Sequence, residues 1–454
     1  MSSLSTSLQI ALSGLMAEQG ALETTTNNVA NINTAGYSRQ VPDLVTRDPI
    51  VEDSLTFGSG VDLQKIESIR DPILASQIQQ ETQTQGQWNA LVSALAQTQG
   101  NFSTTAGDIG TAISNFFDSL NQLSTSPTDL SLRQNVLTAT ANVANAFNTA
   151  ANRLTSQRTN LDASVEQAIG QVNQLTAQIA RLNRQISNLE NVGESAGTFV
   201  DQRTQLIDQL SAQIDVSVIP TDNTLTLTTA TGTPLVAGEQ SFALSTQLDA
   251  SGVLHIFSQS RDISSAIVSG QLGGLLEARD QQIPNLQSQL DTLASGLANA
   301  VNGVQAAGFD LNGNSGSNLF TPPPASGAAA SLSVSLTDPA GIAASSDGIA
   351  GSNGNMEAMY ALRNQGIVSG QTPTDYYSSI VFNVGNAAAN ANSQQSASTL
   401  VLQQLNDQRS SVSGVSLDQE AANMMRYQQA YAASAQVIST INSMMQTVIS
   451  MKAS

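Results

Sequence analysis

The sequence predicts a mainly α fold with a small β insert. The terminal helices pair as an antiparallel coiled coil, and a bundle of long helices fills the middle. Three observations predict it. Apolar residues recur every seven positions at both extremes of the chain. They recur every three or four positions from 130 to 190. At 216 the composition turns to alternating Val, Ile, Leu and Thr, the pattern of strands.

Residues 1–70 supply one half of the coiled coil and a linker. Leu8, Leu15, Leu22 and Val29 lie seven apart. Leu4, Ala11, Thr25 and Ile32 take the second seam position, with Glu18 as its polar intruder. This is a narrow stripe for a partner helix. A helix over 4–32 would span about 43 Å at ~1.5 Å per residue. It runs into the string NNVANINTAGYSRQ at 27–40. Asn27, Asn28 and Asn31 bring the helix to a polar end, and Gly36 permits a turn with positive φ. Tyr37 and Arg39 add an aromatic anchor and a bidentate donor, types favoured at buried interfaces. The string reads as a docking corner centred on Asn31, Gly36, Tyr37 and Arg39.

A first helical half covers 71–215. Asp71-Pro72 starts a helix expected to reach 105. A second covers 107–125 and is broken by Ser-Pro-Thr-Asp. A rod-like helix follows over 130–190, and a short one over 198–213. The β insert occupies 216–269, with turns expected at Asp222-Asn223, Thr231-Gly232 and Ser251-Gly252. A second helical half covers 270–412. Helix returns from 270 to about 305. A Gly-, Ser- and Pro-rich loop with short strands at 331–336 fills 308–350, and helices resume at 354–365 and 373–410. Residues 413–454 close the chain. Leu417, Met424, Tyr431, Ile438 and Met445 lie seven apart. Tyr427, Ile441 and Val448 take the second position, with Ser434 between them. Ser416 and Gln419 form a capping box at its start.

The net charge is −19, and only Lys65 and Lys452 are lysines. This acidic balance argues against nucleic acid and anionic membranes as partners, because phosphate contacts need clustered Lys or Arg. The chain has no cysteine, so disulfides and thiolate metal sites are excluded. No apolar run is long enough for a membrane span, and no cleaved signal peptide is expected. Charged residues are only 11% of the chain, which suits small-residue helix interfaces better than a cytosolic enzyme.

Catalytic signals are weak. The single histidine, His255, stands alone in the alternating strand VLHIF. No zinc motif, phosphate loop or nucleophile elbow occurs. Asp310-Leu311-Asn312-Gly313-Asn314 resembles the start of a calcium loop, but Ser315 and Thr321 stand where Gly and Glu are required, so it reads as an Asn/Gly turn. No catalytic, cofactor or metal residues are predicted.

The string at 27–40 resembles the N-terminal signature of bacterial flagellar axial proteins, the rod, hook and hook-associated family. Its GYSRQ ending is nearest to the hook-associated branch. SGVSLDQEAANMMRYQQAYAASAQVIST at 413–440, GQLGGLLEARD at 270–280 and GFDLNGNSGSNLF at 308–320 agree. The resemblance implies a non-enzymatic structural subunit of the hook–filament junction, outside the cell. It implies export through the flagellar type III apparatus and self-association into a helical ring. The implied partners are hook protein, a second junction protein, and an export chaperone at the C-terminal helix. The β insert would face outward. The residues assigned to assembly are Leu8, Leu15, Leu22, Val29, Met424, Tyr427, Tyr431, Ile438, Ile441 and Met445, with the docking corner. Two alternatives stand: an adhesin or enzyme carried by 216–350, or another axial subunit such as hook protein or filament subunit. The lack of Trp and Tyr in 216–350 argues against carbohydrate binding there.

Overall fold

The computed structural model describes residues 2–52, 55–102, 108–221 and 224–453. Helix α1 (Ser2–Ala30) leads into four short strands, β1 (Gln40–Thr46), β2 (Ile50–Glu52), β3 (Leu55–Phe57) and β4 (Val61–Ser68). Strands β1 and β4 pair antiparallel from Gln40↔Ser68 to Thr46↔Val61, with a register shift between Asp43 and Leu44. Strands β2 and β3 continue toward the tip. This ribbon occupies what the sequence predicts as a linker. It lies along α1.

Four helices follow: α2 (Pro72–Asn101), α3 (Ile109–Thr125), α4 (Leu130–Asn191) and α5 (Gly197–Gln213). The first three start where an aspartate can accept the free N–H groups of a first turn. Asp71 accepts from Ile73 and Leu74, Asp108 from Thr111, and Asp129 from Ser131 and Leu132. The expected end of α2 at 105 and start of α3 at 107 fall on residues outside those described.

The insert holds two antiparallel sheets. One is a meander of β5 (Ser217–Thr221), β6 (Thr224–Thr228), β7 (Pro234–Ala237) and β8 (Gln240–Ser241). The other joins β9 (Leu244–Leu248), β10 (Leu254–Ser258) and β11 (Arg261–Asp262) in the order β11-β10-β9. Gly232 and Gly252 take positive φ at two of the expected turns. The third, Asp222-Asn223, lies outside the described residues. The insert is clamped along α4 by two asparagines. Asn173 donates to Leu244 O and accepts from Leu244 N, both at 2.8 Å. Asn183 donates to Leu225 O and Gly238 O.

Helix α6 (Gly270–Glu277) runs through a π-helical turn, Ala278–Gln282, into α7 (Ile283–Ala307). The glycines of the GQLGG string explain how α6 packs so closely on α2 and on the end of α5. A Cβ on Gly274 would press on Gln87 O and lie 3.0 Å from the Ala90 Cβ, and one on Gly270 would strike the backbone of Ile214. At the π turn Arg279 is buried and paired with Asp162 at 3.1 Å and Asp280 at 2.7 Å.

In the 308–350 loop, strands at 331–336 do not form. Val334 makes a single bridge to Phe320, and a short helix α8 (Ala328–Ser331) precedes it. The backbone here is satisfied by side chains instead. Asn148 donates to the carbonyls of Ala329, Ala330 and Leu332. The buried guanidinium of Arg133 donates to the carbonyls of Pro127, Pro339, Ala340 and Ile342. Helices α9 (Gly354–Ala361), α10 (Pro373–Ser413) and α11 (Leu417–Ala453) complete the chain.

One continuous apolar core runs from Ala90 to Ala391 and takes in α2–α4, the insert, α6, α7 and α10. None of its buried members comes from α1, the ribbon or α11.

Candidate assembly interface

Helices α1 and α11 lie side by side outside the core. Their direction follows from the contacts. Asn28 Nδ2 donates to Glu420 Oε2 at 3.1 Å. Fourteen residues earlier on α1, the space beside Gly14 is closed by Ser434, fourteen residues later on α11. The pair is therefore antiparallel. The expected heptad residues lie along it unequally. On α11, Tyr427 and Ile441 are buried; Met424, Ile438 and Met445 are half-buried; Tyr431 is exposed. On α1, Leu8, Leu15, Leu22 and Val29 are all half-buried. The deepest positions of α1 are small: Ala17, Ala21, Thr24, Thr25 and Asn28. The reason is that α1 has two neighbours. It packs on α11 and also on the ribbon, where Leu63 covers Gly20 and Gly60 sits against Ser13. Small side chains let three elements approach.

Large apolar residues remain exposed on the pair: Ile10, Leu12 and Met16 on α1, and Met425, Val437, Met444, Ile449 and Met451 on α11. Glu18 lies in the seam. Burial pushes its carboxyl above the ordinary range, and the nearby Arg426 guanidinium partly opposes this.

The 27–40 string forms a knot at the inner end of the pair. Asn28 Oδ1 accepts from Gln40 N and from the Tyr37 hydroxyl, both at 2.9 Å. Its Nδ2 also donates to Gln40 O at 2.8 Å. Burial, with the charges of Asp201 and Glu420 added, pushes the Tyr37 phenol up to about 12. Arg39 Nε donates to Glu420 Oε1 at 2.7 Å. Gly36 has φ +75°, and Gln205 of α5 lies against it and donates to Ala35 O. Asn31 is half-buried and donates to Asn27. So Gly36, Tyr37 and Arg39 are brought together, while Asn31 only closes the helix. Sequence reasoning missed Gln40, Asp201 and Glu420. Glu420 lies 392 positions from Asn28, and no local pattern couples them.

In the 216–350 region, His255 and Asp310 each sit in a local hydrogen-bonded arrangement. His255 Nδ1 lies 2.7 Å from Asp262, and its Nε2 is 3.5 Å from Asp249. Ser264 donates its hydroxyl proton to Asp262, not to the imidazole. The hydroxyl-to-imidazole link of a serine nucleophile is therefore not made. Asp310 accepts from Asn312 N and Asn314 N at 2.8 Å, the expected turn. Among the described residues no three His, Asp or Glu side chains group as metal ligands. Among the same residues, no helix is long and apolar enough to cross a membrane.

Comparison with known proteins agrees with this geometry. Residues 95–320 match the family described as flagellar hook-associated protein FlgK helical domain. Residues 407–451 match the flagellar basal body rod FlgEFG protein C-terminal family, and 8–37 the flagella basal body rod protein family. Flagellar hook-associated protein 1 of Bacillus subtilis (strain 168) is 30% identical over 499 residues, covering 99% of this chain and 98% of its own length. The chain belongs to the flagellar hook-associated protein 1 family. The Escherichia coli (strain K12) member is 27% identical, covering 99% of this chain and all of its own. That alignment spans 548 positions against 454 residues here, so the relative carries sequence this chain lacks. The solved flagellar hook junction protein FlgK from Burkholderia pseudomallei shares the fold, with a TM-score of 0.67 at 19% identity. It covers 74% of this chain and all of that one. Family membership makes the chain a structural component of the flagellum. The helical family match runs through the β insert to residue 320, so the insert lies within the family's own domain.

Proposed function

We propose that the chain is the subunit that joins hook to filament, and that it assembles through its terminal helices. The observation that carries this is the α1–α11 pair. It lies outside the core and presents Leu12, Met16, Met444, Ile449 and Met451 to solvent. Neighbouring copies cover this surface in a head-to-tail helical ring, a contact that does not close on two subunits. Hook protein adjoins one side of the ring and a second junction protein the other. Before assembly the chain passes through the type III apparatus. A chaperone shields the exposed face of α11 during that passage, in the manner of a helix held in an apolar groove. The helical halves 71–215 and 270–412 form the shell around the terminal core, with the 216–269 insert on its outside.

Amide hydrogen exchange on the purified chain, with and without excess isolated hooks, tests the reading. Residues 1–40 and 415–454 should gain protection when hooks are added. Equal exchange in both samples would overturn it.

A further inference from the structure

The run Tyr37–Gln40 is bonded to four separate helices at once. Ser38 N donates to Asp201 Oδ2 of α5 at 3.0 Å. Arg39 N donates to Ser413 O, at the end of α10, at 2.9 Å. The Arg39 guanidinium reaches Glu420 in the first turn of α11, and Gln40 N reaches Asn28 of α1. The strand β1 begins only at Gln40, so Ser38 N, Arg39 N and the Arg39 side chain are left free of the ribbon's ladder to serve the other helices.

Two carboxylates anchor the joint. The Glu420 side chain is 1% exposed and Asp201 8%. Asp201 also takes both Nε and Nη2 of Arg70. The covalent links at the same place are short. Residues 69–71 join the ribbon to α2, and 414–416 join α10 to α11. Two adjacent short links make a hinge. Charge-assisted hydrogen bonds fix direction where apolar contact would slide.

We propose that this joint is a coupling device. Docking of the first turn of α11 through Glu420, together with Asp201 on α5, sets the direction of the terminal pair against the helical body. A load on the pair is then carried into the body instead of being absorbed at the hinge. The consequence for a polymer rests on the assembly reading above. The joint itself is a property of the single chain.

The absence of cysteine makes a clean test possible. Cysteines placed by Gln429→Cys on α11 and Asn188→Cys on α4, both exposed positions, carry nitroxide labels in the full chain. Pulsed electron paramagnetic resonance reads the distance between them. The chain with Glu420 and Asp201 intact should give one narrow distribution. Glu420→Gln and Asp201→Asn should each broaden it severalfold with helix content unchanged. If Glu420→Gln loses helix, Asp201→Asn decides, because that side chain bonds Ser38 and Arg70, which lie on neither α1 nor α11. A distribution that stays narrow in Asp201→Asn, or is broad with both carboxylates intact, overturns the proposal. Hook binding is scored separately, so failure of the joint and failure of the assembly reading give different results.

Discussion

Asn28 uses its whole amide, and Asp215 does the opposite. The two show what a buried polar group does with and without partners. Asn28 is 1% exposed, and its oxygen and nitrogen close the ribbon onto the terminal pair. Asp215 is fully buried where α5 passes into β5. Its Oδ2 accepts from Ala230 N at 2.9 Å, while Oδ1 has no partner. Burial raises its carboxyl above the ordinary 3.8, and the backbone hydrogen bonds only partly offset this. A raised carboxyl favours the protonated form in the folded state. Ionisation therefore lowers stability as pH rises through the folded value, and acidification removes that penalty. Asp215→Asn should stabilise the fold at neutral pH by about 1–3 kcal/mol, since a neutral amide is cheaper to bury than a charge. The gain should vanish below the ordinary carboxyl range. Urea unfolding at several pH values measures it, and a loss of stability at neutral pH would sink the argument.

At the scale of elements, the helices are legible because their signals are local. Asp-Pro at 71–72 and the aspartates at 108 and 129 cap the helices that follow them. The ribbon is not legible. VDLQKIES alternates, but the register shift at Asp43/Leu44 and Pro42 in the facing strand hide its partner. That omission explains why the leucines of α1 are read as the whole seam. With the ribbon present, Ala17 and Ala21 take the deepest places. The same unequal burial separates two kinds of residue on α11. Ile441 is 6% exposed and faces α1, whereas Ile449 is 63% exposed. Ile441→Asp should unpair the helices, seen as faster amide exchange across both. Ile449→Asp should leave that exchange unchanged yet prevent binding to hooks. Normal hook binding by Ile449→Asp would place the contact elsewhere.

For the whole molecule, the division between core and terminal pair is the governing fact. The continuous apolar cluster runs from Ala90 to Ala391 without a buried residue from α1 or α11. Apolar burial is the main favourable term in folding, so the helical body holds its own stability and the terminal pair adds little to it. The joint at Tyr37–Gln40 links them by hydrogen bonds rather than by shared core. The sequence shows the two parts through periodicity, but not the joint, because Asp201 and Glu420 meet residues 163 and 392 positions away. A chain cut to 70–413 keeps Arg70 with Asp201 and all of the core. It should unfold in one cooperative thermal transition, within a few degrees of the main transition of the full chain, and bind no hooks. If the cut chain melts without cooperativity, the terminal pair is part of the folding unit. Its exposed apolar face would then belong to a helix pair the body cannot fold without, rather than to one left free for neighbouring copies.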